Sequence, residues 1–336
     1  MIRLAPVSST ASILLFAVLL LAGCSLPQYG VPLPPLPASA LQADDAFTMD
    51  DGARLPVRRW LPVGPPRAVV LALHGMNDSR DAWELPGPTM ALAGVAVYAP
   101  DQRGFGAAPG RGHFAGPERM ADDAATMLGS LRVRYPGVPL FAMGESMGGA
   151  VLMVLAARPD APRLDGWVLV SPAVWGREQM GVLLSSGLWL VSGVGPGLTV
   201  TGAEVPVKVM ASDNREALIR LARDPLTIRR TRFDALRGLT DLMDAAQAAA
   251  PHLPPNTLAL YGARDTLVPD AAAARAWARM PPDVRRAFYP NGYHLLLRDK
   301  ARYAPIGDVL AWTQDPGTWL PSGADLAAAG WRAAHH

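Results

Sequence analysis

The pentapeptide Gly-Glu-Ser-Met-Gly at residues 144–148 is the part of the sequence with the most specific chemical meaning. It lies between an apolar run at 139–143 and a run of small and apolar residues at 149–158 that favours a helix. Gly-x-Ser-x-Gly between a strand and a helix is typical of a nucleophile elbow, a sharp turn that strains the serine backbone and exposes its hydroxyl. Both glycines are expected because the segments on either side of the turn pass close together. The pattern predicts that Ser146 is a nucleophile.

A serine nucleophile needs a base, and the base needs an acid that orients it. With this kind of elbow, the acid and then the histidine follow the serine along the chain. Residues 257–261 predict a buried strand, and Asp265 comes just after its carboxyl end, where sites of open α/β sheets are built. A second predicted strand, 286–289, leads to His294, which alone among the six histidines follows Asp265 at a strand end. Either residue could be an ordinary loop residue, but their order and placement favour Asp265 as the acid and His294 as the base.

Donors for a developing oxyanion are expected from the backbone. Residues 68–73 form a continuous apolar run, typical of a buried parallel strand, and the loop His-Gly-Met-Asn follows at 74–77. One N–H of this loop and the N–H after the nucleophile would form the hole, which predicts Met76 and Met147 as donors. His74 could be considered as a base, but a structural residue that shapes the loop is the favoured interpretation.

Five segments together resemble the α/β-hydrolase superfamily, and within it the monoacylglycerol lipase and lysophospholipase group, also classified as serine aminopeptidase S33-like. They are residues 74–76, 98–106, 144–149, 262–265 and 293–294, and the similarity extends over about 45–315. The resemblance implies an α/β fold, the α/β-hydrolase fold, with a mostly parallel sheet, helices on both faces and an inserted helical cap. A serine mechanism of this kind needs no metal and no organic cofactor. The implied site comprises catalytic Ser146, Asp265 and His294 with oxyanion donors Met76 and Met147.

Two positions depart from this group. Glu145 stands where many relatives carry histidine, and the loop at 74–77 lacks a further glycine. Epoxide hydrolases and haloalkane dehalogenases share the fold but use a carboxylate at the centre of the elbow. Because this position is Ser146, an ester-type acyl-enzyme is expected.

The amino terminus predicts export and lipid attachment. An apolar run at 11–21 is shorter than the roughly 20 residues needed to span a bilayer, which is typical of a signal peptide. Leu-Ala-Gly-Cys at 21–24 resembles a bacterial lipoprotein box, which implies a signal peptide at 1–23 and a lipid on Cys24. Ser25 resembles the signal for outer-membrane sorting, which implies a lipid-anchored protein of the cell envelope facing the periplasm. An ordinary signal peptide with an incidental cysteine is the alternative. Cys24 is the only cysteine, so an intrachain disulfide is excluded.

The rest of the chain predicts one α/β-hydrolase domain at 45–315, held by a Pro-rich tether at 24–44 and followed by a tail at 316–336. Residues 47–60 predict an opening hairpin with Asp51-Gly52 at its turn. Strands and helices then alternate, which favours a parallel sheet with helices on both faces. The predicted strands are 68–73, 95–99, 139–143, 167–171, 257–261 and 285–289, and the predicted helices are 117–135, 148–158, 270–280 and 303–313.

A cap is expected at about 177–255, between two of these strands. Its first part, 181–191, is apolar. We expect either a lid over a tunnel for an acyl chain or a cap helix that packs on the core.

Composition is consistent with a globular enzyme. Half of the 336 residues are hydrophobic, and the net charge of +2 comes without a basic stripe, which argues against a nucleic-acid partner. The predicted function is cleavage of carboxylic esters, with monoacylglycerols or lysophospholipids as the favoured small-molecule substrates. Short-chain esters, thioesters and peptides stay open as alternatives. A non-catalytic lipoprotein binding factor is a further alternative, which the presence of a complete triad disfavours. The sequence predicts no oligomeric state.

Overall fold

The computed structural model describes residues 45–202, 204 and 209–334. The predictions for residues 1–44, namely the signal peptide, lipid attachment at Cys24 and the tether, lie outside the described residues. Among the residues that are described, no helix is both long enough and apolar enough to cross a membrane.

An eight-stranded sheet forms the centre of the fold. In chain order the strands are β1 Asp45–Thr48, β2 Arg54–Trp60, β3 Ala68–Leu73, β4 Val95–Pro100, β5 Leu140–Glu145, β6 Gly166–Val170, β7 Thr199–Val200, β8 Thr231–Arg232, β9 Thr257–Gly262 and β10 Arg285–Tyr289. The strand order in the sheet is β1-β2-β4-β3-β5-β6-β9-β10. Strand β2 is antiparallel to both of its neighbours, and all other neighbouring pairs are parallel. A separate pair, β7 and β8, is antiparallel.

Helices cover both faces of this sheet. Successive residues of β3 belong to two separate apolar clusters, with Leu71 packing into one and Val70 into the other. Because side chains alternate across a strand, this split places one core on each face. The helices are α1 Pro86–Leu92, α2 Pro117–Arg134, α3 Met147–Ala156, α4 Arg177–Met180, α5 Val182–Val194, α6 Arg215–Arg223, α7 Phe233–Ala249, α8 Asp270–Arg279, α9 Tyr303–Gln314 and α10 Ala324–Ala333, with short 3₁₀ turns at Arg80–Trp83 and Ala250–His252.

The predicted α/β-hydrolase fold is confirmed, and so are the six predicted strands and the opening hairpin. The first core contains residues of α2, α3, α7 and α8, and the second contains residues of α1 and α9. Strands β3 to β6 and β9 are buried along their whole length, which explains their continuous apolar sequences. Because β3, β5, β9 and β10 are parallel, their carboxyl ends meet at one edge of the sheet.

The segment between β6 and β9 contains α4 to α7 and the small β7–β8 pair. Helix α7 packs against α3 of the main domain, and α5 lies against α7. Only Ser192 is buried in α5, so most of this apolar helix faces outward.

Helix α10 lies in the segment that the sequence analysis treated as a tail after residue 315. It packs against the edge strand β10, with the Trp331 ring stacked on Phe288 at 5.1 Å and against Trp277 at the same distance. These residues therefore pack with the domain and cover its edge strand.

Candidate active site

Ser146 occupies the turn between β5 and α3. Its backbone has φ 53° and ψ −115°, a region that non-glycine residues rarely adopt. The Ser146 N–H donates to the Val170 carbonyl at 2.9 Å, and its own carbonyl accepts from Ala150 at 3.0 Å and Ala173 at 2.9 Å. These backbone hydrogen bonds hold the strained conformation. Ser146 is half-buried although both of its neighbours are buried, as the predicted elbow requires.

The elbow glycines are needed because backbone segments pass close to them. A Cβ atom on Gly148 would lie 2.3 Å from the Leu73 carbonyl oxygen, and one on Gly144 would lie 2.4 Å from the Gly148 carbonyl carbon. The predicted reason, a close approach of the two sides of the turn, holds for Gly144, whereas Gly148 is required by the end of β3. A Cβ on Gly75 would lie 3.3 Å from the Ser146 Cβ, so the loop after β3 rests against the serine.

Asp265 and His294 form a buried pair in the loops after β9 and β10. His294 Nδ1–H donates to Asp265 Oδ2 at 2.7 Å, and both side chains are almost completely buried. The other carboxylate oxygen, Oδ1, accepts the N–H groups of Leu267 at 2.8 Å and Val268 at 3.0 Å. The loop thus fixes the carboxylate, and the carboxylate fixes the tautomer and the orientation of the imidazole.

The charges around His294 favour its protonated form. Burial lowers the pKa of His294, but the negative charge and hydrogen bond of Asp265, with a further contribution from Glu145, raise it by more. Arg298 acts in the opposite direction, and the net result is a pKa above the usual value. An imidazole in this setting is suited to take a proton and to carry the resulting positive charge.

The predicted oxyanion donors lie on two elements at this edge. Met147 is the first residue of α3, where backbone N–H groups are not used by the helix. Met76 belongs to the loop at 74–79, hereafter the oxyanion loop, whose Gly75 touches the serine. Asn77 in this loop has a φ of 63°, and its side-chain amide donates to Thr231 Oγ1 at 2.6 Å. The loop is therefore anchored to the segment between β6 and β9.

His74 has a structural role, as the sequence predicted. It is fully buried, and its Nδ1–H donates to the Gly75 carbonyl at 2.8 Å. Its Nε2 accepts the Gln102 N–H at 3.0 Å, and the Gln102 side chain donates to the His74 carbonyl at 2.7 Å. Both ring nitrogens are thus occupied: Nδ1 shapes the loop after β3, and Nε2 joins it to the loop after β4.

Asp101 supports the same junction from the loop after β4. One oxygen accepts the Arg80 N–H at 2.7 Å, while the other accepts the Ala107 N–H at 2.8 Å and pairs with the Arg80 guanidinium. Asp101 is fully buried. The Asp-x-Arg-Gly-x-Gly segment that carried part of the resemblance therefore organises loops and does not supply a reacting group.

A buried ion-pair cluster at the site was not predicted. The Arg298 guanidinium lies 2.5 Å from Glu145 Oε1 and 2.8 Å from Asp78 Oδ2, and all three side chains are buried. The sequence signals were an acidic residue just before the nucleophile and an arginine four residues after His294. Neither identifies the pairing without the fold.

Asp299, next to Arg298, was also not predicted. It accepts the Tyr293 N–H at 2.8 Å and the Ser212 hydroxyl at 2.6 Å, so it joins the histidine loop to the segment between β6 and β9. Burial raises the pKa of Asp299 to about 6, even though these two hydrogen bonds act to lower it.

The described residues contain no group of three or more His, Cys, Asp or Glu side chains placed to hold a metal ion. What the edge brings together is a serine on a strained turn, a buried histidine–carboxylate pair and a loop of backbone N–H groups. These are the elements of covalent acyl transfer.

Comparison with known proteins identifies the family. The sequence profile described as "Serine aminopeptidase, S33" matches residues 64–301. The chain is 26% identical over 281 residues to a monoacylglycerol lipase of Mycolicibacterium smegmatis, covering 82% of this chain and 98% of the relative. It is 28% identical over 259 residues to the monoglyceride lipase of Homo sapiens, covering 74% of this chain and 82% of the relative.

Solved structures agree on the fold. The monoacylglycerol lipase of Paleococcus ferrophilus superposes with a TM-score of 0.61 at 22% identity, covering 84% of this chain and 99% of that structure. A soluble variant of the Saccharomyces cerevisiae monoglyceride lipase superposes with a TM-score of 0.66 at 19% identity, covering 87% and 100%. The predicted resemblance is confirmed: the chain belongs to the serine aminopeptidase S33 family of α/β-hydrolases.

Proposed function

We propose that this protein cleaves carboxylic esters of single-chain lipids, such as monoacylglycerols or lysophospholipids, through an acyl-enzyme on Ser146. The observation that carries the proposal is the buried Asp265–His294 hydrogen bond of 2.7 Å at the same sheet edge as the strained Ser146 turn. A mobile surface histidine would not need a buried carboxylate partner, whereas a general base does.

The proposed reaction follows from these roles. His294 Nε2 takes the proton of Ser146 Oγ while Oγ attacks the ester carbonyl carbon. Asp265 holds the imidazole and stabilises its positive charge, and the N–H groups of Met76 and Met147 donate to the oxyanion. The tetrahedral intermediate collapses, the C–O bond to the alcohol breaks, and His294 donates its proton to that alcohol. Water then repeats the sequence on the acyl-enzyme and releases the acid.

The outer face of the cap supports a lipid substrate. On α5, Leu183 is 90% exposed and Trp189 62% exposed, and Val182 and Leu190 are also exposed. Soluble proteins rarely expose a large contiguous apolar patch without a binding role. An exposed apolar helix in the segment that packs against α3 suits a substrate whose acyl chain leaves a lipid surface. The names of the relatives, monoacylglycerol lipase and monoglyceride lipase, point to the same substrate class.

The amino-terminal segment supports a place at the membrane. We propose that Cys24 carries a lipid that anchors the protein to the bacterial envelope, at the outer membrane facing the periplasm. The support is the Leu-Ala-Gly-Cys sequence at 21–24 after an apolar run. The test compares wild type with Cys24→Ser for palmitate labelling and membrane fractionation. Loss of label and release from membranes are expected, and unchanged labelling of the variant would refute the anchor.

The substrate proposal is tested with p-nitrophenyl esters of increasing acyl length, together with a monoacylglycerol and a lysophospholipid. Each is assayed with wild type and with Ser146→Ala. The proposal expects serine-dependent turnover that increases with chain length. Turnover confined to short chains would reject the lipid substrate and the lid over an acyl tunnel but keep the triad. Turnover that survives in Ser146→Ala would reject the mechanism.

A further inference from the structure

Arg298 touches both other loops of the proposed catalytic site. It belongs to the histidine loop, residues 290–299, four positions after the proposed base. Its Nη2 lies 2.5 Å from Glu145 of the nucleophile elbow and 2.8 Å from Asp78 of the oxyanion loop. One guanidinium thus joins the three segments that carry the nucleophile, the oxyanion donors and the base.

The cluster is buried and carries more negative than positive charge. Arg298 is 5% exposed, Glu145 3% and Asp78 5%. Burial lowers the pKa of Arg298, but the two carboxylates raise it by more, so the arginine stays charged. Removing three charged groups from water is costly, and the attraction between them often only offsets that cost. Stability alone is therefore a weak reason for such a cluster.

A stronger reason for the cluster is that it holds the three loops in a fixed relative position. One cationic nitrogen, Arg298 Nη2, contacts both carboxylates and so fixes their separation, which an apolar contact of the same size does not. The two carboxylates come from the ends of β3 and β5, which are neighbours in the sheet, and Arg298 comes from the loop after β10 at the far edge. Without Arg298, this link from the histidine loop to the elbow would be lost.

We propose that Arg298 is a positioning residue, which holds the elbow, the oxyanion loop and the histidine loop in their reactive arrangement through Glu145 and Asp78. This inference rests on the proposed ester hydrolysis at Ser146. Arg298 does not contact substrate in this role; it acts by holding the three loops that carry the reacting groups.

The charges of the cluster also give a signature that a purely structural contact would lack. The charged groups that act on His294 are Asp265 from the loop after β9, Glu145 from β5 and Arg298 from its own loop. Glu145 raises the pKa of His294, and Arg298 lowers it. Because the base must be neutral to act, the acid limb of the kcat/KM profile follows this pKa. Removing the Glu145 charge should therefore move the limb to lower pH.

The test measures kcat, KM and the pH profile of kcat/KM on a p-nitrophenyl ester for wild type, Glu145→Gln and Arg298→Lys. Lysine keeps the charge on a shorter side chain, so its ammonium group cannot reach both Glu145 and Asp78 unless the loops move. Glutamine at 145 keeps the shape of the side chain and removes only its charge. Glu118→Gln is the matched control, because Glu118 pairs with Arg158 on the exposed surface of α2. Melting temperatures are recorded for all four proteins.

We expect Arg298→Lys to lower kcat by about 10- to 100-fold with little change in KM, since misplacing a catalytic group by about 1 Å has an effect of this size. We expect Glu145→Gln to shift the acid limb down by at least about 0.3 pH unit, a factor of two in the protonation equilibrium. Glu118→Gln should match wild type both in kcat and in the pH of the acid limb.

Wild-type kcat in Arg298→Lys together with an unmoved acid limb in Glu145→Gln would overturn the inference while leaving ester hydrolysis intact. A fall in melting temperature without a change in kcat or in the limb would also overturn it, because that is the behaviour of a merely structural contact. A wild-type protein without any Ser146-dependent turnover would instead reject the proposed function, and this inference with it.

Discussion

Replacing Gly148 by alanine should both destabilise the fold and lower activity, because the new methyl group meets backbone that cannot turn away. The added Cβ would lie 2.3 Å from the Leu73 carbonyl oxygen and 2.8 Å from that of His74. Real Cβ atoms do not approach backbone this closely, so the end of β3 and the start of α3 must separate. Overpacking of this kind typically costs about 1–3 kcal/mol.

Gly129 provides the matched control within the same protein. It lies in the middle of α2, on the face exposed to solvent, and a Cβ there would meet nothing within 4 Å. Alanine at this position should stabilise by about 0.5–1 kcal/mol, the ordinary helix preference over glycine. The two glycine-to-alanine changes should therefore differ by about 2–4 kcal/mol. At about 2–4 °C per kcal/mol for a domain of this size, the Gly148→Ala protein should melt about 4–16 °C below the Gly129→Ala protein.

The Gly148→Ala and Gly129→Ala proteins should also differ in activity. The displaced end of β3 leads directly to Gly75, which lies against Ser146. A shift approaching 1 Å in this loop should reduce kcat by up to about 100-fold, whereas Gly129→Ala should keep wild-type kcat. The assay is thermal melting combined with turnover of a p-nitrophenyl ester. Equal melting temperatures and equal kcat for the two variants would refute the close approach of β3 to the elbow.

Three further predictions address other parts of the structure. Asp265→Asn should lower kcat by about 10⁴-fold with the fold intact, because the amide cannot hold the same tautomer of His294; an activity near wild type in ester hydrolysis would contradict the assignment. Asp299 has a folded pKa of about 6, above its usual value, so its contribution to stability is greatest at low pH and is lost as the pH rises to about 6. Between pH 4 and 7 the free energy of unfolding of wild type should change with pH by up to about 3 kcal/mol more than that of Asp299→Asn, as measured by urea unfolding. The same dependence of unfolding free energy on pH in both proteins would contradict this prediction. Trp331→Ala should cost about 2–3 kcal/mol in thermal or urea unfolding by removing the stack on Phe288, and a wild-type stability would show that α10 does not pack on β10.

The sheet and the ends of its strands could be predicted because burial leaves a direct trace in the sequence. Strands buried on both faces, such as residues 68–73, are continuously apolar, and short loops follow them. The Asp265–His294 contact could be expected once these strands were predicted, because parallel strands bring their carboxyl ends to one edge of the sheet. The elbow carries its own local signal, since its glycines are required by contacts within a few residues of the serine and with β3.

The Arg298 cluster could not be predicted, because Glu145 and Arg298 are 153 residues apart and meet only through the strand order. One arginine among many gives no local signal of such a partner. The exposure of α5 could not be predicted either. A helix that is apolar on all sides usually lies in a core, yet most of this one faces outward. Helix α10 is rich in alanine, and its docking depends on the contacts of Trp331 with several aromatic rings that are distant in the sequence.

Covalent labelling of Ser146 tests the central claim most directly. Wild type, Ser146→Ala and Asp265→Asn are each treated with a fluorophosphonate, and the modified residue is located by mass spectrometry of peptides beside the rate of ester turnover. The proposed mechanism predicts one label per chain on Ser146, no label and at least about a 10³-fold loss of turnover in Ser146→Ala, and much slower labelling in Asp265→Asn. A label on another residue, or turnover that persists without Ser146, would contradict it.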